Sequence, residues 1–145
     1  MRIFVLTMGF IIAIFVAFGR VIVDALGANT VWYTCFLAVP YLLLSLLLSH
    51  RLGVTARNER PTTRAVWVLA VLSWVSGIAF ALTVPDVLPD GSLAAITAPP
   101  GADPVTVEIV VALCNPFAIG MFVFLLLACI VSWFNSRPAY VDPED

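Results

Sequence analysis

The chain alternates between long apolar runs and short polar breaks, and the runs have bilayer length. The first is free of charge over 3–18 and stays apolar, apart from Arg20 and Asp24, as far as Gly27. The others cover 31–49, 65–84 and 109–134, and the helix of the last is expected to begin before the membrane. A spanning helix needs about 20 predominantly apolar residues, each rising about 1.5 Å through a core about 30 Å thick. In lipid a backbone satisfies its polar groups only as a helix or a closed barrel, and these runs lack the alternation of barrel strands. The pattern predicts an all-α integral membrane protein with four transmembrane helices in a bundle. The expected spans are 3–26, 31–49, 65–84 and 105–134 in a single domain, 1–145. Between them lie an Arg-rich loop at 50–64 and a Pro/Asp-rich loop at 85–104, with a short acidic tail at 136–145.

The first run also has the outline of a cleaved signal sequence, with Arg2 at its start and Ala25-Leu26-Gly27 as a small-residue site. It exceeds the usual apolar length, and Arg20 and Asp24 stand just before the cut, so a retained span is the expectation.

Orientation follows from the arginines. Arg51, Arg57, Arg60 and Arg64 lie between the second and third spans, Arg2 precedes the first, and Arg137 follows the fourth; Arg20 alone is on the opposite side. Short Arg-rich segments stay in the cytoplasm, which places both termini and the 50–64 loop inside. The opposite loop is acidic, with Asp86, Asp90 and Asp103, and Pro85, Pro89, Pro99 and Pro100 predict an extended or turn-rich segment. Asp103-Pro104 reads as an N-cap with Pro at the first helical position. Trp32 and Tyr33 at one level and Trp133 at the other suit the headgroup regions.

Helices in lipid associate by close packing and hydrogen bonds, so small residues four apart mark contact faces. Gly9, Ala13 and Ala17 form one such row and Ser73, Gly77 and Ala81 another, and the two rows are candidates to meet each other. Thr34, Ala38, Tyr41 and Ser45 form a third row that should face protein. Pro40 predicts a kink, because it removes a donor and presses on the carbonyl of Phe36. Pro116 has two readings. Either the fourth helix continues through it with a kink that frees the Ala112 carbonyl, or Asn115 caps a shorter span of 116–134. The continuous helix is the stronger expectation.

Composition sharpens the class. Of 145 residues 62% are hydrophobic and 11% charged, against about 45–50% and 25% in soluble domains. A net charge of −2 gives no electrostatic case for nucleic acid. Cys35, Cys114 and Cys129 form no C-x-x-C pair, and His50 cannot complete a zinc set with them. They read as small apolar residues, with a Cys35–Cys114 disulfide as the weaker alternative.

Ionisable residues near the hydrocarbon are functional candidates by default. Arg20 and Asp24 stand four apart, and Glu108 and Asn115 share a face of the fourth helix, so Arg20, Asp24, Glu108 and Asn115 form a candidate outer polar cluster. It would hold a lipid headgroup, a small cation or a partner side chain, or else serve as an interfacial anchor. A nucleophile needs a base within reach, yet His50 is at the far end from the carboxylates, and neither a P-loop nor G-x-G-x-x-G occurs. No enzyme activity and no cofactor are expected. The expected partners are membrane lipids, with a membrane protein or a second copy as the further option. Size, four runs and arginine-only basic residues give the look of a small bacterial inner-membrane protein. The leading expectation is a non-enzymatic accessory or scaffold protein. A small channel, transporter component or holin-like permeabilising protein is the alternative, and a membrane sensor with a ligand-binding outer loop comes third.

Overall fold

A computed structural model describes residues 2–137. Most of the acidic tail lies outside that range. Four helices are long and apolar enough to cross a membrane. The first, α1 (Arg2–Phe18), continues as a 3₁₀ segment, Gly19–Val23. The second, α2, runs Thr30–Arg57 with a π-helical turn at Thr34–Ala38. The third, α3, is Arg64–Thr83, and the fourth, α4, is Pro104–Asn135. Between α3 and α4 a small antiparallel hairpin pairs β1 (Asp86–Val87) with β2 (Leu93–Ala94).

Several boundaries differ from the expected ones, each for a local reason. The first helix tightens at Gly19 and stops at Asp24, which adopts a left-handed conformation (φ 52°). The second extends eight residues past 49, because Leu52 and Thr55 continue its buried face beyond the apolar run. About half of the expected 50–64 loop is therefore helix. The 85–104 segment is ordered: besides the hairpin, Ala95 pairs with Ala98, and the Thr97 N–H donates to the Leu82 carbonyl at 3.1 Å. Ala95, Ala98 and Val110 form a small apolar cluster beneath it.

Both prolines sit within helices. Pro116 lies inside α4, which runs unbroken for 32 residues, so the shorter span with Asn115 as cap is not adopted. The true cap is Asp103, whose carboxylate accepts from the Val105 N–H at 3.1 Å, with Pro104 at the first turn. At Pro40 the helix answers with the π turn directly before it. One extra residue per turn moves the Phe36 carbonyl away from the proline ring.

The main contacts run α1 to α2, α2 to α4, α4 to α3 and α3 to α1. Sequence neighbours α2 and α3 therefore lie across a diagonal. Tyr41 bridges it. Its hydroxyl donates to Ser73 Oγ at 3.0 Å, and Ser73 in turn donates to the Met121 carbonyl at 2.7 Å. Three helices are thus tied at one level by a two-bond chain, inside a core that includes Ile12, Leu48, Met121 and Leu125.

The small-residue rows work, with different partners from those expected. Gly9 packs on Ser45 of α2, with no room for a β-carbon. A β-carbon at Gly77 would come within 2.8 Å of Ile12 of α1. Ala13, Ala17 and Ala81 are buried, as are Ala38, Tyr41 and Ser45 of the third row.

Candidate functional site

The densest polar construction lies at the hairpin end. After the 3₁₀ segment the chain turns at Asp24 and runs alongside β1, where the Ala28 N–H donates to the Val87 carbonyl at 3.1 Å. Gly27 sits at the closest approach. A methyl there would collide with the Val87 carbonyl oxygen and fall 2.7 Å from Asp86 Oδ1. This close crossing carries Asn29 and Thr30 onto the Asp86 side chain.

Asp86 is fully buried, with 0% exposure, and its acceptors are well used. Oδ1 accepts from the backbone N–H groups of Asn29 and Val87, both at 2.8 Å, and Oδ2 accepts from the Thr30 hydroxyl at 2.7 Å. Burial is the largest single influence on this carboxyl and opposes ionisation. The hydrogen bonds from Thr30, Asn29, Val87 and Gly27 together outweigh it and hold Asp86 below the ordinary carboxylate range.

Arg20 is the counter-ion. It is 1% exposed, and its Nε lies 3.6 Å from Asp86 Oδ2, an ion-pair distance too long for a hydrogen bond. Nη2 donates to the Ala17 carbonyl at 3.4 Å, and the guanidinium carbon stands 4.7 Å from the centre of the Tyr33 ring. Tyr33 donates to the Pro85 carbonyl at 2.8 Å. Nε and Nη1 of Arg20 are buried without a hydrogen-bond partner. The end of α1, the start of α2 and the α3–β1 junction are thereby fastened through one ion pair.

The sequence-based cluster is not assembled: of its four residues only Arg20 belongs to this site. Arg20 is central, but Asp24 is exposed and is not its partner. Spacing of four residues brings side chains together only in an α-helix, and here the chain has already passed into 3₁₀ geometry and a left-handed turn. Glu108 and Asn115 are also exposed, on the outer surface of α4. Asp86, Tyr33, Thr30 and Gly27 were missed. The available signal was the need of a deep Arg20 for a carboxylate, with Asp86 standing just past the end of the third apolar run.

Cys35 is exposed, Cys114 and Cys129 are buried, and all three are free, so the alternative disulfide does not form. Among the described residues no group of three or more His, Cys, Asp or Glu side chains gathers as a metal set.

At the opposite end, Arg2 meets Ser49, whose hydroxyl donates to the Arg2 carbonyl at 3.1 Å. Asn58 donates to the Ser136 carbonyl at 2.9 Å and Asn135 to the Thr63 hydroxyl at 2.8 Å. These bonds place residue 2, the 58–63 turn and the end of α4 on one side. Comparison with known proteins finds no match to this chain among protein-family models, curated proteins or solved structures.

Proposed function

We propose that the chain is a multi-pass protein of the bacterial cytoplasmic membrane, a four-helix bundle with both termini inside, acting as a non-enzymatic accessory or scaffold through its lateral surface. One observation carries this reading. The centre is filled by side chains, with Tyr41, Ile12, Leu48 and Met121 fully buried, and the buried Tyr41 and Ser73 hydroxyls are committed to the chain that ties three helices. The recesses lie on the outside instead. One of about 130 Å³ runs between α1 and the π turn of α2, lined by Phe10, Ala13, Ala17, Thr34, Ala38 and Leu42. An apolar helix or a lipid chain is the natural occupant of such a surface in a bilayer. The inside-positive distribution of six arginines against Arg20 supports the orientation.

A sensor role is the second reading. It is favoured by the ordered hairpin and by an open cleft of about 380 Å³ beside it, which includes Ser92, Gly101, Pro104 and Glu108.

The test is membrane potential, read with a voltage-sensitive dye during induction, together with C-terminal reporter fusions. The accessory reading expects an unchanged potential at confirmed membrane expression, a fluorescent cytoplasmic reporter and an inactive periplasmic phosphatase fusion. Rapid depolarisation would overturn it in favour of the permeabilising alternative. An active phosphatase fusion would overturn the orientation.

A further inference from the structure

We infer that the corner formed by Ile130, Trp133, Phe134 and Arg137, with Arg51 stacked on the Trp133 ring, is a binding site for one anionic phospholipid. The inference rests on the proposed membrane reading and adds a ligand to it. The three apolar residues and Arg137 line a recess of about 160 Å³ at the end of α4. Trp133 and Phe134 are about half exposed. The Arg137 guanidinium carbon lies 5.0 Å from the centre of the Phe134 ring, and that of Arg51 lies 3.9 Å from the centre of the Trp133 ring. The recess thus has an apolar floor and a cationic rim, and it suits a molecule with a hydrocarbon chain and a negative head.

Charge supports that occupant. Arg2, Arg51, Arg57, Arg60, Arg64 and Arg137 belong to this end, and the one ion pair among the described residues is Arg20–Asp86 at the other. Glu59 is the only acid of the 50–64 segment. Arg51 Nε is also buried with no hydrogen-bond partner. A guanidinium held over an aromatic ring keeps its edge N–H groups free for a phosphodiester. The lipid phosphate meets Arg137 at the rim, an acyl chain follows Ile130 and Phe134, and Arg51 on Trp133 supplies the second positive charge.

The experiment uses the full chain in vesicles of phosphatidylcholine containing a small fraction of acyl-brominated phosphatidylglycerol or acyl-brominated phosphatidylcholine. Asp142, Glu144 and Asp145 are then present to compete for the same arginines. Tryptophan quenching is compared between wild type and Trp133→Phe, and the difference reports Trp133. The expected result is a preference for the anionic lipid of about five-fold for each arginine that reaches the phosphate. Arg137→Gln should reduce it, and Arg51→Gln with Arg137→Gln should bring it close to one, with helix content unchanged by circular dichroism. Equal quenching by the two lipids in correctly inserted protein would overturn the site while leaving the membrane reading intact. Failure of the wild-type chain to insert would overturn both.

Discussion

At the hairpin end Arg20 is buried, paired with Asp86 and stacked against Tyr33, where the end of α1, the start of α2 and β1 meet. At the other end Arg51 and Arg137 lie over Trp133 and Phe134, and no carboxylate pairs with them among the described residues. The same side chain is handled in two ways because its surroundings differ. A guanidinium sealed from solvent needs a counter-charge, and the hairpin supplies it. Arg137, exposed at an aromatic-lined end, keeps its charge outward and rests its flat face on a ring. The first arrangement fastens the chain to itself, whereas the second leaves positive charge available to something else.

The largest way to break this contrast is Asp86→Asn. It leaves the Arg20 charge buried and uncompensated, and we expect a loss of about 3–5 kcal/mol, read by unfolding in mixed micelles with a denaturing detergent. Arg20→Met should cost less, because Asp86 keeps its bonds from Asn29, Thr30 and Val87. Gly27→Ala comes next. Its methyl would force β1 away from the 25–29 segment, and overpacking of this kind costs about 1–3 kcal/mol; amide exchange at Ala28 should rise in step.

Acid sharpens the same comparison. The Asp86 carboxyl is held below its ordinary value, so its contribution is fully present above the unfolded pKa of about 3.9. It is lost as pH falls through the lower folded value. A stability profile below pH 4 should therefore fall for wild type and lose that part of its slope in Asp86→Asn. The smallest effect is expected at the opposite end, where Arg57 is exposed: Arg57→Gln should change stability by less than about 0.5 kcal/mol.

Much of the architecture could be read from the chain because the bilayer imposes length and continuity on each helix. The expected spans 65–84 and 105–134 lie within a residue of α3 and α4 at each end. Asp103-Pro104 marked the start of α4 because a cap is a local device. Gly9 and Gly77 were legible as contact points from their spacing. Their partners were not, since Ser45 and Ile12 are fixed by how the helices are arranged around one another. The same limit explains the polar site. Arg20 announced itself by its depth in an apolar run, but Asp86 lies 66 positions away, and a short-range rule chose Asp24. The hairpin at 86–94 was hidden for a related reason: two-residue strands carry no periodicity, and a proline-rich segment reads as irregular.

The most direct test of the account is a double-mutant cycle on Arg20→Met and Asp86→Asn, with unfolding free energy measured for all four proteins under one condition. The double variant should be more stable than Asp86→Asn alone, because removing the stranded charge relieves the defect created by losing its partner. Two losses that simply add, within about 0.5 kcal/mol, would contradict it and reduce the Arg20–Asp86 contact to coincidental proximity.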